Sequence, residues 1–503
     1  MSLTDRLNRI TGLSVYEASV VSSKGVTYFL GRQGTEKLVG CVGGPCLPNV
    51  KKVGAPTGGR MPEIDGKCVC VGPLDHANAV ALRAALPWTS PVCLGLATSV
   101  GLGDRLGLAT PGHIRAVRGT GLKPIFAQQS IREMTRTQRT PDEVMDCASW
   151  GVLQEGYRDG FGSDADHLQT PGDIDVTAAA GFTMFTIDPG RGVENQADEF
   201  HVDMLADYFA QLDFPALQAS SADLRNTYVG KSFPLAGGGS VEFDEISFLR
   251  AAVKYGNAIG HTAAMYRHLQ QAARAAFELE VSVDETASPT SPAEHYFFAS
   301  ELKRLGVRWV SMAPRFVGRF EKGVDYIGDL AEFRRSFAQH VAVMRTLGPY
   351  KISIHSGSDK FSIYPVVAEM TGGMVHLKTA GTSYLEALRA IAQTDPGLFR
   401  EILDFARARY DEDKATYHVS ANVAKVPPAA SLKDADLPSL LDQFDARQVL
   451  HVTFGSVLTA DGGDLFRKRM YLALDSHEEA HYAALAKHLA RHVSPFVARA
   501  SRA

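Results

Sequence analysis

No apolar run in the 503 residues approaches the roughly 20 residues that a bilayer-spanning helix needs, so no membrane span is expected. Charge of one sign is also missing. A net charge of -4 gives no electrostatic footprint for nucleic acid, and small molecules or a second copy of the chain are the expected partners. Cysteine is sparse and confined to the first third, as Cys41, Cys46, Cys68, Cys70, Cys93 and Cys147. Met1–Leu13 carries Asp5, Arg6 and Arg9 and has no apolar core of a secretory signal, so a cytoplasmic protein with reduced thiols is expected. The spacings Cys41/Cys46 and Cys68/Cys70 are not two-residue zinc knuckles. There is no nicotinamide fingerprint, because Gly101-Leu-Gly103-Asp-Arg-Leu-Gly107 misses the required spacing, and no His-Glu-x-x-His motif.

What the chain does have is carboxylates in register. In Phe277–Thr286, strict alternation puts Glu278, Glu280, Ser282 and Asp284 on one strand face and Phe277, Leu279, Val281 and Val283 on the other. Parallel strands are normally apolar on both faces, so an acidic face marks a strand that opens into a site for cations or proton transfer. Other segments end the same way. Asp164, Asp166 and His167 close Phe161–Leu168, Asp188 follows Gly181–Ile187, His355 follows Lys351–Ile354, and His376 and Lys378 share a face of Met374–Thr379.

Eight β-prone segments alternate with helical stretches, near Thr98–Leu102, Lys123–Ala127, Phe161–Leu168, Gly181–Ile187, Phe277–Val283, Val307–Met312, Lys351–Ile354 and Met374–Lys378. This pattern predicts an α/β fold, a (β/α)8 TIM-like barrel whose chemistry sits at the C-terminal strand ends. Thr110-Pro111, Thr140-Pro141 and Thr170-Pro171 each supply a hydroxyl N-cap and a proline at the first helical position. The expected organisation is a small α+β module over residues 1–95, the barrel over 96–425, and a linker with a C-terminal helical extension over 426–503. An excursion at about 190–276 holds a helix at Asp198–Leu212, a hairpin near Tyr228–Phe243 and a long helix from Glu245 to Ala276, and its length suits a cover over the mouth. A helix is expected at Ser383–Ala406 and a strand-like run at Gln448–Leu458. The amphipathic Glu478–Ala498 suits packing on its own barrel or on a second subunit of a homo-oligomer.

Imidazoles and carboxylates that converge suit zinc, manganese, nickel or cobalt, and His167, Glu280, His355 and His376 are the candidate ligands of a divalent metal ion. Asp166, Asp188, Asp284 and Glu285 are candidates for proton transfer. Arg105, Arg315, Lys322, Lys360 and Lys378, with amides at Gln128 and Gln129, point to an acidic substrate, either carboxylate or phosphate.

Several blocks together resemble the bacterial tagaturonate epimerases: Gly103–Gly107, Pro124–Ser130, Trp150–Tyr157, Asp164–His167, Phe182–Pro189, Glu280–Thr286, Phe320–Tyr326, His355–Phe361, Lys378–Tyr384 and His451–Ser456. The resemblance runs from about residue 98 to 490. It implies a metal-dependent isomerase that interconverts D-tagaturonate and D-fructuronate in hexuronate catabolism, with neutral fructose and tagatose as further substrates. It also implies that Ser130, Thr186 and His355 shape the substrate pocket, which makes His355 a candidate for substrate as well as for metal. Gln129, Arg315 and Lys378 join them as candidate substrate contacts.

The carbon such an enzyme inverts lies one position beyond the carbon next to the ketone, so enolisation alone cannot invert it. That leaves reversible carbon–carbon cleavage or transient oxidation, and with no nicotinamide fingerprint retro-aldol cleavage is the expected route. A class II aldolase, an aldose–ketose isomerase and a uronate-binding sensor are the alternatives.

Overall fold

The computed structural model describes residues 1–43, 46–54, 63–355 and 359–500. Eight parallel strands close a barrel: β1 (Ser99–Gly101), β2 (Lys123–Ser130), β3 (Gly162–Leu168), β4 (Met184–Ile187), β5 (Glu278–Val283), β6 (Ser311–Pro314), β7 (Lys351–His355) and β8 (Val375–Lys378). All eight expected strands are present, and only the sixth is displaced, starting at Ser311 instead of Val307. β8 pairs with β1 through Lys378↔Gly101, which closes the ring.

Register sets what fills the barrel. Glu280 pairs with Ser311, Ser311 with Lys351, Ser353 with His376 and His376 with Ser99, so these side chains share the inward face. Barrel interiors are usually packed with branched aliphatic residues. Here the interior is a polar column in which Lys351 Nζ donates to Ser99 Oγ at 2.9 Å and His376 lies beside the same serine. The apolar alternates Leu279, Val281 and Val283 face outward into the helix layer, where they are buried.

The N-terminal residues form a seven-stranded, mainly antiparallel sheet with helices Leu3–Thr11 and His76–Ala85. Its core includes Trp150 and Leu153 of the barrel helix Pro141–Gln154. Cys41 and Cys46 are joined as a disulfide, which corrects the expectation of reduced thiols for that pair; Cys68, Cys70, Cys93 and Cys147 are free.

Three further expectations are corrected. The excursion after β4 does not cover the mouth: its long helix Glu245–Ala272 packs in the outer ring against Pro171–Ala179 and Pro292–Arg304, and its shorter helices lie against that helix. Sixteen of its residues, from Phe248 to Leu269, are buried, so the helix belongs to the barrel wall. The stretch Ser383–Ala406 is two helices, Thr382–Thr394 and Pro396–Asp413, because Pro396 cannot continue the first and Asp395 caps the second. Gln448–Leu458 is helical, as Phe444–Val452 and Phe454–Thr459. Packing overrides the strand preference of Val449, Val452 and Val457, which with Leu450, Phe454 and Leu458 complete a second core against Leu385, Ile402 and Leu441.

The final helix, Glu478–Ala500, docks on its own barrel against Thr110–Val117, Tyr364–Thr371 and Thr382–Thr394. Among the described residues no helix is long and apolar enough to cross a membrane.

Candidate active site

The C-terminal strand ends converge on one ammonium. Lys378 Nζ, at the end of β8, lies 2.9 Å from Asp164 Oδ2, 2.7 Å from Asp166 Oδ1 and 2.7 Å from Glu280 Oε1, and donates to Thr186 Oγ1 at 2.6 Å. Four strands are thus tied at one point. Burial opposes the charge on Lys378, but the three carboxylates outweigh it and hold the amine well above the usual lysine range. The carboxylates respond unequally. Burial pushes Asp164 up to about 6 against the pull of Lys378, whereas Asp166 and Glu280 are held below the usual range despite burial, because His167 and Lys378 act on the first and Lys378 and His355 on the second.

His355, at the end of β7, stands between two carboxylates. Its Nε2 is 2.5 Å from Glu280 Oε1 and its Nδ1 is 3.2 Å from Asp284 Oδ1. His167 reaches the same place by an irregularity. Alternation would send it to the opposite face from Asp166, but β3 shifts register between Ala165 and Leu168, and His167 takes φ of 52°. A non-glycine residue in that region carries strain, and such strain clusters at functional sites. The outcome is that Asp166 and His167 both serve the mouth: His167 Nε2 is 3.6 Å from Asp166 Oδ1, and its Nδ1 is 3.3 Å from Asp188 Oδ2. Burial opposes protonation of His167, but Asp166 and Asp188 push it up to about 10.

Asp166, His167 and His355 each offer one ligand atom within 4.8 Å of the others, a donor set that suits a divalent cation. Asp188 and Asp284 stand behind the two imidazoles, where they fix ring orientation. Glu280 lies against His355, and its Oε2 is buried without a hydrogen-bond partner among the described residues. The structure does not bring His376 to this group. Its Nδ1 is engaged by Ser99 Oγ at 2.9 Å, and burial pushes it down to about 3.

Above these residues opens a cavity of about 380 Å³, walled by Asp284, Glu285, the β6 loop from Pro314 to Lys322, His355 and Tyr417–Ser420. A narrow lobe runs down to Arg105, Ser130, Asp166, His167, Lys378 and His451, and Lys322, His355 and Tyr417 belong to both. The cover therefore comes from the β6 loop and the C-terminal segment. Tyr417 carries no motif and escapes sequence reasoning. His451 stands in one of the blocks that carry the resemblance, though without a role attached to it.

The other expected contacts divide. Ser130 is in the wall and also caps helix Ile131–Thr137 through Glu133 N. Thr186 lies beneath Lys378 and donates to Asp164 Oδ1 at 2.8 Å. Gln129 is buried on β2 with neither amide atom bonded among the described residues. Arg315 lines the wide lobe and has no carboxylate within ion-pair distance among the described residues.

A family model described as tagaturonate epimerase matches residues 16–496. The chain belongs to the tagaturonate epimerase family. It is 42% identical over 482 residues to a tagaturonate/fructuronate epimerase of Thermotoga maritima, covering 96% of each chain. The native crystal structure of a fructuronate-tagaturonate epimerase from Cohnella laeviribosi superposes with a TM-score of 0.90 at 38% identity, covering 98% of both chains. A one-glycerol complex of that enzyme matches with a TM-score of 0.89 at 37% identity, also covering 98% of both. With this family come both the barrel and the class of chemistry: the chain is an isomerase, an epimerase acting on carbohydrate.

Proposed function

We propose that this epimerase interconverts D-tagaturonate and D-fructuronate, with Asp166, His167 and His355 holding a divalent cation. The observation that carries the reading is the convergence of those three residues with Lys378 at the floor of one cavity, with Glu280 buried directly behind Lys378 and His355. The orphaned, buried Glu280 Oε2 supports it, since such an atom is costly unless a ligand satisfies it. When bound, a divalent cation supplies Lewis-acid stabilisation of negative oxygen.

The steps of this chain's own residues follow from the substrate's connectivity. Glu280 accepts the proton of the hydroxyl on the carbon to be inverted. That oxygen then forms an aldehyde carbonyl as the bond to the neighbouring carbon breaks, and the electron pair moves onto the ketone, which becomes an enediolate. Lys378 offsets the added negative charge. After the aldehyde turns, the enediolate carbon attacks its other face, the bond re-forms, and Glu280 returns the proton to the same oxygen. Nothing is consumed. The β6 loop and Tyr417 keep the fragments in the cavity between the two halves of the reaction.

The test is proton NMR of metal-supplemented protein with fructuronate in deuterated water. Tagaturonate that keeps its original hydrogen at the inverted carbon is the expected product. Deuterium at that carbon would replace carbon–carbon cleavage by direct deprotonation, and no conversion would remove the activity.

A further inference from the structure

Four consecutive backbone carbonyls at the mouth, those of residues 321 to 324, each accept a hydrogen bond from a buried side chain. Lys360 Nζ donates to Glu321 O at 3.0 Å and to Val324 O at 2.6 Å. Gln448 Nε2 donates to Lys322 O at 3.1 Å, and Arg447 Nε donates to Gly323 O at 2.6 Å. The Glu321 carboxylate is gripped as well, accepting from Ser420 Oγ at 2.7 Å and Gln448 Nε2 at 2.9 Å. Lys360 and Gln448 are 0% exposed and Arg447 is 5% exposed. Loop carbonyls are ordinarily left to water, so three buried donors directed at one short loop hold its backbone as firmly as a strand. The close fit extends to Gly323, whose φ is +83° and where a Cβ would sit 3.3 Å from the His451 Cβ.

What the loop presents is Lys322. Its side chain is in the wall shared by the wide and narrow lobes, beside His355 and Tyr417. The other cations of the mouth are mostly engaged. Lys378 is enclosed by three carboxylates, Arg105 Nε donates to Glu133 Oε1 at 2.9 Å, and Arg132 Nη2 donates to Glu285 Oε1 at 3.1 Å. Lys322 Nζ lies 3.6 Å from that same Glu285 oxygen, beyond hydrogen-bond reach, and its ammonium makes no hydrogen bond among the described residues. Arg315 has no carboxylate within ion-pair distance among the described residues, but it lines only the wide lobe. Lys322 therefore stands on a held backbone at the junction, ion-paired with Glu285 but with its hydrogen-bond donors unused among the described residues.

We propose that Lys322 is a specificity-determining residue that binds the carboxylate of the substrate, and that Lys360, Arg447 and Gln448 are positioning residues that hold it in place. The proposal rests on the reading of the mouth as a keto-uronate site. It makes the C-terminal segment, through Arg447 and Gln448, part of the device that separates a uronate from the neutral ketose of the same shape. An ammonium on a carboxylate forms a charge-assisted hydrogen bond that a primary alcohol cannot match.

The test is calorimetric titration of the metal-supplemented full-length protein with fructuronate and, separately, fructose. Wild type is expected to prefer the uronate. In Lys322→Met the uronate should bind roughly 30-fold more weakly, with fructose affinity within about threefold of wild type; Lys322→Arg should recover most of the loss. Lys360→Met should lose part of the same preference with fructose unchanged, a selective effect that general destabilisation does not produce. Equal losses for both ligands, no loss for either, or a wild type without preference would overturn the proposal. Conversion is read separately by NMR: a wild type that binds fructuronate selectively but does not epimerise it removes the proposed activity and leaves the Lys322 comparison decisive.

Discussion

Lys378 Nζ and Asp166 Oδ1 lie 2.7 Å apart, joining the end of the last barrel strand to the end of the third. The contact is buried, and the same ammonium serves Asp164 and Glu280, so one positive charge faces three carboxyl groups. Without it, ionised carboxylates could not crowd at one point in a low-dielectric interior. The barrel mouth is thus held together by the charges that its chemistry uses.

Lys378→Met is expected to cost about 3–5 kcal/mol of folding stability, since removing one partner leaves buried charge uncompensated. Urea unfolding followed by circular dichroism measures it. A loss below about 1 kcal/mol would show that the carboxylates take up protons at no cost. Turnover should fall with stability here, so this variant speaks to the architecture of the mouth more than to its chemistry.

Metal retention and proton transfer should separate in three further variants. Asp166→Asn and His167→Ala are expected to leave the protein folded and to lower bound metal, measured by mass spectrometry after dialysis, to a small fraction of the wild-type value. Glu280→Gln should keep the metal and lose about 10²–10⁴-fold in turnover, the usual scale for a missing general base. Loss of metal in Glu280→Gln would move that carboxylate from the proton step into the ligand set.

The barrel was legible because β-prone runs alternate with helical stretches eight times, and five of the strand ends, β3, β4, β5, β7 and β8, carry Asp, His or Lys. The eight segments follow from that periodicity, and so does the acidic face of β5, since Glu278, Glu280 and Ser282 obey the two-residue period. His167 is a different case. It was found as a residue type at a strand end, but its turn into the mouth depends on a register shift and a left-handed φ that periodicity cannot encode. His376 shows the converse, a regular position on β8 that register carries one step too deep to join the imidazoles. Length alone favours the excursion after β4 as the cover, whereas its long helix packs in the outer ring. That helix is apolar on several sides, which reads in hindsight as a wall element. The true cover comes from Tyr417–Ser420, a segment far along the chain with no local signal.

Asp359 is expected to be a stability determinant that clamps the C-terminal helix to the barrel. Its Oδ1 accepts from His488 Nε2 at 2.9 Å and His492 Nε2 at 3.0 Å, and its Oδ2 accepts from Arg447 Nη2 at 2.9 Å. Two histidines and a carboxylate this close also resemble a ligand set, but Arg447 already balances the charge there. Asp359→Ala should cost about 3 kcal/mol or more, and a chelator should leave wild-type unfolding at this clamp unchanged. A large chelator effect that persists in Asp166→Asn would make the group a second metal site.

Acid should destabilise the fold well above the carboxylate range. Six buried histidines are held toward the neutral form: burial pushes His113, His340 and His481 down to about 4 and His376 down to about 3, takes His295 well below the ordinary value, and lowers His492. A histidine whose folded pKa is depressed binds its proton more readily in the unfolded chain. Between the unfolded value near 6.5 and the folded values near 4, the unfolded state therefore carries more protons, and stability falls as pH falls. In the metal-free protein His167 and His355 have the opposite sign, being raised in the fold, so near pH 6.5, where the unfolded imidazoles still take up protons, they oppose part of the decline. Each depressed histidine contributes at most about 3 kcal/mol across the window, and the neighbouring pair His295 and His340, with Nδ1 atoms 3.0 Å apart, acts as a unit. Unfolding free energy measured in urea at steps from pH 7 to pH 4.5 should decline with a slope of more than one proton. His340→Gln should flatten that slope by a fraction of a proton while lowering stability at pH 7. A wild-type profile that stays level down to pH 5 would mean that these imidazoles reach protons from solvent without unfolding.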